Sequence, residues 1–394
     1  MNYTENFFIP SNEHSMIRKL IKDFAAKKLL PSAIKRDEEE YFDINLFREL
    51  GDLGVLGACA PESYGGFGMD AVACVIIHEE LSFADPGFCL AYLAHSVLCI
   101  NNIVKNANEE QKELFLPKLI KGEYLGAMAM SEPGVGTDVL GMKTFASKNS
   151  QGYIINGRKM WITNGVKEDK NTCDVVFLYA KTGNGKKDIS SFLVTPQNNG
   201  FFVGQKLNGK LGMRSSNTAE LVFDNCQITN KQLVGQEGES MLHMMKNLEI
   251  ERLALAAMGL GIAKRCLDIM NKYALEREAF GYSINHFGQI KKFIAESYAQ
   301  FKAVKAFVYL TAHGLSYGNK RIDSDSAKLL AAKMAKEVAD NAIQVLGGYG
   351  YMSEYVVERM WRDAKLLEIG GGTLEAHHKN ITADLAKNHY VIFE

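Results

Sequence analysis

The sequence predicts an α+β protein of several domains, in the order helices, sheet, helices. Two observations support this prediction. The length of 394 residues exceeds what one ordinary hydrophobic core organises, and the hydrophobic periodicity changes twice along the chain. We therefore expect a helical domain over 1–121, a β domain over 122–230 and a second helical domain over 231–394.

Helical spacing is evident in the N-terminal third. Apolar residues recur three and four apart over 17–24, and Ser11 and Asp43 stand where N-cap residues are expected. A Pro- and Gly-rich stretch over 61–68 interrupts the pattern. Further helices are predicted over about 69–83, 89–105 and 108–120.

The middle third has the composition of a β domain. Short runs rich in Val, Ile, Phe, Tyr and Thr alternate with Gly, Asn and Lys clusters. Asn156-Gly157 and Asn164-Gly165 are dipeptides that favour hairpin turns. We expect a small β-barrel or β-sandwich here. From Glu237 onward long helical periods return, and Gly259-Leu260-Gly261 falls inside one of them, where it would permit close helix packing.

Composition excludes several classes of protein. The net charge of −1 leaves no surplus of cations for a nucleic-acid backbone. Seven cysteines without CxxC spacing indicate a reducing compartment rather than a disulfide framework. Residues 1–6 lack the order of a signal peptide, and no apolar run reaches the length of a membrane span. A cytoplasmic protein is expected, or a mitochondrial matrix protein if the chain is a processed eukaryotic one.

The stretch around Glu251 is the strongest candidate for a reactive group. Apolar residues recur at helical spacing from Met241 to Tyr273, so that Glu251 shares a helix face with Leu255. A carboxylate among apolar side chains has a raised pKa, which suits it to proton abstraction. A surface Glu paired with a neighbouring cation is the alternative. Glu249 is the rival base, but it points about 200° away around the helix.

Four further stretches carry possible binding chemistry, and each also has an ordinary structural explanation. The first, 127–138, joins a strand to a glycine-rich turn with hydroxyl groups. The second, 159–165, places Trp161 beside a turn. The third and fourth are 344–351, where glycines could simply end a helix, and 369–375, with three consecutive glycines that leave side-chain space open. Nicotinamide, ATP and metal sites are not supported.

Together these stretches resemble the acyl-CoA dehydrogenase family of FAD flavoproteins. The resemblance covers nearly the whole chain and rests most strongly on five motifs. They are Ser131-Glu132-Pro133-Gly134, Trp161-Ile162-Thr163-Asn164-Gly165, Arg277-Glu278-Ala279-Phe280-Gly281, residues 344–350 and Arg362-Asp363-Ala364-Lys365. It implies an N-terminal helical domain, a middle β domain and a C-terminal four-helix bundle, assembled as a homotetramer (a dimer of dimers).

The resemblance also identifies the base. Many members of the family carry the catalytic Glu in the glycine loop, where this chain has Gly371. In a minority, including isovaleryl-CoA and long-chain dehydrogenases, the base is a helix Glu directly before an Arg. Glu251 followed by Arg252 matches that arrangement. The resemblance therefore implies Glu251 as the catalytic base.

Binding residues follow from the same resemblance. FAD contacts are implied for Met128, Met130, Ser131, Gly136, Thr137, Trp161, Ile162, Thr163, Arg277, Phe280, Gln344, Gly347, Gly348, Thr373 and Glu375. Of these, Arg277 and the 344–348 segment would meet the adenosine and pyrophosphate of a neighbouring subunit's FAD. Substrate contacts are implied for Thr137, Tyr179, Glu249, Arg252, Gly370, Gly371 and Gly372. One position departs from the family pattern: relatives place Gln after His286-Phe287, whereas here Gly288 comes first and Gln289 second.

The implied reaction is α,β-dehydrogenation of an acyl-CoA to the trans-2-enoyl-CoA, in fatty-acid or branched-chain amino-acid catabolism. Glu251 would remove the α-proton, flavin N5 would accept the hydride, and an electron-transferring flavoprotein would be the electron acceptor. Gly370, where straight-chain enzymes carry Tyr, favours a short, branched acyl group of the isovaleryl type. Three alternatives remain: an acyl-CoA oxidase, an enzyme of another substrate such as a carrier-protein-bound acyl group or a nitroalkane, and a non-catalytic acyl-CoA-binding protein.

Overall fold

The N-terminal part of the protein is helical, as predicted. The computed structural model describes residues 7–167, 170–315, 317–318 and 321–388, so residues 1–6, on which the expectation about a signal peptide rests, lie outside it. The side chains of Ser11 and Asp43 accept hydrogen bonds from the first backbone N–H groups of their helices, which confirms both caps. The helices are α1 (Asn12–Phe24), α2 (Ala33–Glu38), α3 (Ile44–Asp52), α4 (Ala71–Ala84), α5 (Pro86–Leu93), α6 (Asn101–Asn106) and α7 (Glu109–Ile120).

A π-helical segment, Ala94–Ile100, joins α5 to α6. The combined stretch Pro86–Asn106 has the length and apolar character of a membrane span, but 72% of its most apolar window is buried inside the protein. It is therefore a core helix of the N-terminal domain.

The middle part is an eight-stranded sheet. Its strands are β1 (Gly126–Ala129), β2 (Phe145–Lys148), β3 (Gly152–Thr163), β4 (Val175–Lys181), β5 (Ile189–Val194), β6 (Phe201–Lys206), β7 (Thr218–Thr229) and β8 (Leu233–Val234). The strand order is β6-β7-β3-β2-β4-β5-β8, and β1 pairs in parallel with β4. The long strands β3 and β7 form an extended antiparallel pair within it.

Both predicted hairpins are wrong. Asn156-Gly157 lies inside β3, at a bulge where the register with β7 shifts. A Cβ at Gly157 would lie 2.4 Å from Oγ1 of Thr144, so the glycine permits close backbone approach rather than a turn. Asn164-Gly165 does turn the chain after β3, but β4 is not a sheet neighbour of β3. Pairing across the sheet overrides the local turn preference.

The C-terminal part consists of long helices. They are α8 (Ser240–Glu276), α9 (Gly288–Leu315), α10 (Arg321–Leu346), α11 (Val357–Leu367) and α12 (Leu374–Asn388), with a short hairpin of β9 (Glu278–Ala279) and β10 (Tyr282–Ser283) after α8. Helix α8 packs against both α10 and α4. A Cβ at Gly261 would lie 2.0 Å from Oγ of Ser82, which confirms that this glycine permits close helix packing.

Arg362 and Asp363 join the three parts. The guanidinium of Arg362 donates to Asp37 on α2 and to the backbone carbonyl of Leu211 in the loop before β7. The carboxyl of Asp363 accepts from the backbone N–H of Met213 in the same loop. This motif therefore fixes the C-terminal helices against the sheet and the N-terminal domain.

Candidate functional site

Glu251 is a buried carboxyl group on the apolar helix α8. Its residue surface is only 6% exposed, and Oε2 has no hydrogen-bond partner among the described residues. Burial raises the pKa of Glu251 to about 7, against the opposing influence of the nearby Arg252 and Lys328. The predicted raised pKa is confirmed. Glu249, the rival base, is only half-buried.

The backbone of the glycine loop lies directly against this carboxyl group. Gly371 has a φ of +65°, and a Cβ there would lie 3.3 Å from Oε1 of Glu251 and 2.1 Å from Cδ1 of Leu255. A side chain at this position would collide with helix α8. A Cβ at Gly370 would instead meet Leu366 at an ordinary 3.5 Å.

A buried polar network surrounds the loop and the base. The Arg252 guanidinium donates to Oδ2 of Asp325 at 2.8 Å, and Oδ1 of Asp325 contacts Nδ1 of His377 at 2.5 Å. Lys328 donates from Nζ to the carbonyl oxygen of Gly372 at 2.6 Å. Asp325, Lys328 and His377 were not predicted as site residues. All three lie far from Glu251 along the chain, so sequence spacing does not connect them with it. The sequence signal that they do carry is that polar residues interrupt apolar helical patterns.

Tyr179 closes another side of this region. Its side chain is fully buried and its hydroxyl donates to Oδ1 of Asn102 at 3.3 Å. The amide of Asn102 in turn contacts Sδ of Met128 at 3.8 Å. Burial and the neighbouring Glu251 carboxyl raise the pKa of Tyr179, so it stays neutral. Met128, Met130 and Leu248, one turn before Glu251, pack against the apolar cluster that contains Tyr179.

The loop after β1 and the end of β3 are held together. Lys159, buried inside β3, donates to the carbonyl oxygen of Met130 and to Oε1 of Glu132, each at 2.9 Å. The Met160 N–H donates to the carbonyl oxygen of Ser131 at 2.9 Å. These contacts bring together the two stretches of the β domain that the sequence singled out. Gly136 and Thr137 lie exposed further along the same loop.

Trp161, near the end of β3, has a strained backbone conformation. It has a φ of +60° at a register shift of β3, and its side chain remains exposed, with 56% of the residue surface accessible. Left-handed backbone at a non-glycine residue costs on the order of 1–3 kcal/mol and is enriched at ligand sites. Ile162 is buried and Thr163 half-buried behind it. The indole is therefore presented as an open, flat surface.

A cavity of about 760 Å³ lies at the other end of the C-terminal helices. Its lining includes Arg277, Phe280, Gln289, Gly347 and Gly348. A Cβ at either glycine would meet nothing within 4 Å, so the backbone faces open space. Gln344 is not among the residues that line this cavity. Thr373 caps α12 by accepting from the Ala376 N–H, and Glu375 lies exposed in its first turn.

Comparison with known proteins gives this architecture a family. The chain matches the N-terminal, middle and C-terminal domains of acyl-CoA dehydrogenases over residues 11–123, 127–226 and 241–386. The chain belongs to the acyl-CoA dehydrogenase family. Members are flavoproteins, and this protein is accordingly an acyl-CoA dehydrogenase with a flavin cofactor.

Two sequence relatives illustrate the range of similarity. The mitochondrial isovaleryl-CoA dehydrogenase of Oryza sativa is 42% identical over 375 residues, covering 94% of this chain and 90% of its own. The mitochondrial 2-methylacyl-CoA dehydrogenase of Solanum tuberosum is 40% identical over 376 residues, with the same coverage.

Solved structures agree. Butyryl-CoA dehydrogenase from Megasphaera elsdenii superimposes with a TM-score of 0.91 at 35% identity, covering 95% of this chain and 98% of that one. A chain of the structure described as the electron transferring flavoprotein of Acidaminococcus fermentans gives 0.91 at 34% identity, with the same coverage. The fold prediction and the predicted family are both confirmed.

Proposed function

We propose that this acyl-CoA dehydrogenase converts a short, branched acyl-CoA of the isovaleryl type to its trans-2-enoyl-CoA, with Glu251 as the base that removes the α-proton. The supporting observation is the packing of the glycine loop against a buried carboxyl whose pKa is about 7. Such a group is a proton acceptor near neutral pH. Gly371 carries no rival carboxylate.

The chain offers a surface that fits FAD in two places. The exposed, strained Trp161 and the adjoining Ser131 loop form an edge for a flat ring, with Met128, Met130, Gly136, Thr137, Ile162 and Thr163 around it. The cavity lined by Arg277, Phe280, Gly347 and Gly348 suits the pyrophosphate and adenosine of a neighbouring subunit's FAD, because a guanidinium matches phosphate geometry. Gln344, Thr373 and Glu375 are the remaining proposed contacts. When bound, FAD supplies the hydride acceptor.

Within this arrangement the chain performs three tasks. Glu251 accepts the proton, Leu255 and Gly371 exclude water from the carboxyl, and Tyr179 stays neutral beside the acyl group. Arg252, Gly370 and Gly372 complete the proposed substrate surface together with Glu249 and Thr137. Gln289 lines the cavity one position after the Gly288 departure, and we propose that its amide replaces the family's Gln contact to FAD.

The branched acyl group is supported by the names of the two plant relatives, isovaleryl-CoA and 2-methylacyl-CoA dehydrogenase. An electron-transferring flavoprotein is the proposed electron acceptor, supported by the chain of the Acidaminococcus fermentans structure. A homotetramer in the cytoplasm, or in the mitochondrial matrix for a processed eukaryotic chain, completes the proposal.

An anaerobic titration tests the reaction. The holoenzyme is mixed with isovaleryl-, isobutyryl-, butyryl- or octanoyl-CoA while the flavin absorbance is recorded. Bleaching is expected to be fastest with isovaleryl-CoA, and an electron-transferring flavoprotein should restore the colour faster than air. Faster bleaching by octanoyl-CoA would contradict the substrate class. Failure of all four thioesters to bleach the flavin would contradict the proposed dehydrogenation.

A further inference from the structure

The carbonyl oxygen of Gly372 is held by two buried cation-forming side chains from different helices. Nζ of Lys328 on α10 donates to it at 2.6 Å, and Nε2 of His377 on α12 lies 3.1 Å from it. Both residues have 0% exposed surface. The last residue of the triglycine loop is therefore fixed by both side chains, and a Cβ on its neighbour Gly371 would lie 3.3 Å from Oε1 of Glu251.

The two cations of this network, Arg252 and Lys328, differ in their partners. Arg252 is bound to Asp325 at 2.8 Å, so the charge of Arg252 is largely balanced there. Asp325 also accepts from Asn380 and contacts His377. Lys328 has no carboxylate within 4 Å among the described residues, although a buried ammonium normally has one. Glu251 is the foremost opposite charge acting on Lys328, ahead of Asp325 and Glu368.

Within the described part of the chain, the titratable groups that act electrostatically on Glu251 come from three elements. They are Arg252 on α8, Lys328 on α10 and Tyr179 on β4. Tyr179 is neutral, whereas Arg252 and, more weakly, Lys328 both favour an ionised Glu251. Arg252 is already bound to Asp325, so Lys328 is the cation without a carboxylate partner of its own among the described residues. Burial lowers the pKa of Lys328 to about 8, which still leaves it mostly charged at neutral pH.

We propose that Lys328 is a positioning residue for proton removal: it holds the Gly372 carbonyl so that Gly371 stays beside Glu251, and with Arg252 it is a counter-charge of the ionised base. This inference rests on the proposed role of Glu251. It assigns a part in the reaction to Lys328, which contacts the glycine loop through the carbonyl oxygen of Gly372.

Three variants separate the two contributions. Lys328→Met removes both the charge and the donor to Gly372. Lys328→Gln removes the charge but keeps a donor. Lys333→Met on the same helix, where the side chain is exposed, is the matched control. Loss of a nearby opposite charge raises the pKa of a carboxyl group. The acidic limb of the kcat/KM–pH profile should therefore move up by about one pH unit in both Lys328 variants.

The plateau of kcat/KM at pH values above the acidic limb reports whether the glycine loop is still held in place. We expect Lys328→Gln to retain more of the plateau rate than Lys328→Met, because only the glutamine can still donate to the carbonyl of Gly372. Lys333→Met should match the unchanged protein in limb and plateau. A limb that stays in place in both Lys328 variants would overturn the counter-charge, and equal plateaus would overturn the positioning contact.

A second measurement works without turnover. The carboxylic acid C=O band of Glu251, assigned as the infrared band that is lost in Glu251→Gln, is followed against pH in each folded, flavin-loaded variant. Its midpoint should move up in Lys328→Gln and Lys328→Met by the same amount as the kinetic limb. An unmoved midpoint refutes the inference even if no thioester is oxidised, so its failure is distinguishable from failure of the proposed reaction. If Lys328→Met does not fold, the midpoint in Lys328→Gln alone supports or refutes the counter-charge.

Discussion

Gly371 lies beside the carboxyl group of Glu251: a Cβ at residue 371 would lie 3.3 Å from Oε1 of Glu251. The same atom would lie 2.1 Å from Cδ1 of Leu255. A side chain at residue 371 would therefore collide with Leu255 and crowd the Glu251 carboxyl unless Leu255 moved. The glycine at this position fits the close packing of the loop against α8.

Replacing Glu251 with Gln should remove proton abstraction and keep the shape of the side chain. We expect kcat to fall by about 10²–10⁴-fold or more, the contribution of a positioned general base, with the flavin content unchanged. Steady-state dehydrogenation and flavin absorbance measure both. Glu276→Gln, exposed at the end of the same helix, is the control. If Glu249→Gln is inactive and Glu251→Gln is not, the base is Glu249.

Alanine at the two neighbouring glycines should have unequal effects on stability. Gly371→Ala places a Cβ in left-handed backbone and against Leu255, and overpacking of this kind costs about 1–3 kcal/mol. Gly370→Ala meets only Leu366, at 3.5 Å, and should be nearly neutral. Urea unfolding of both variants provides the comparison. Equal free energies of unfolding would contradict the described loop packing.

Removing Asp325 should destabilise the protein strongly. Asp325→Ala leaves the Arg252 guanidinium and the His377 ring without their buried partner, and a broken buried ion pair costs about 3–5 kcal/mol. The free energy of unfolding in urea is the measurement. Glu296→Ala breaks an exposed pair with Lys292 at 3.9 Å and should change nothing measurable. A small effect of Asp325→Ala would mean that the network is solvated.

The burial of Glu251 should make stability depend on pH. Its folded-state pKa of about 7 exceeds the ordinary value of 4.5, so the folded state binds the proton more tightly. The resulting stabilisation is fully present below about pH 4.5 and is lost as the pH rises through about 7. Relative to Glu251→Gln, the protein should lose about 3 kcal/mol across this window. Urea unfolding of both proteins from about pH 5 to about pH 8 tests this; parallel curves would contradict it.

Arg277 should matter for FAD retention. Arg277→Gln removes the guanidinium from the cavity that also presents Gly347 and Gly348. The proposed pyrophosphate contact would then be lost, and FAD per chain after desalting should fall several-fold, since charge-assisted bidentate pairs are strong. Arg158→Gln, which alters a guanidinium exposed on the sheet, should keep its FAD. Equal retention in both variants would place the pyrophosphate elsewhere.

Local sequence patterns determined the order of the secondary-structure elements, two helix caps and the burial of Glu251. The period of the apolar residues predicted the order helix, sheet, helix, and the caps at Ser11 and Asp43 were readable because a cap depends on residues within one turn. The burial of Glu251 was predictable for the same reason: its neighbours at helical spacing are apolar. The family followed from several motifs at consistent separations.

Contacts between distant segments were decided only by the tertiary structure. The Asn156-Gly157 dipeptide became a bulge because β3 pairs with strands on both sides. Lys328 and His377 meet the glycine loop because α10 and α12 pack beside it, and no periodicity along the chain encodes which buried cation will face which carboxyl. Sequence spacing fixes neighbours within an element, whereas the partner of a buried charge depends on how the elements pack.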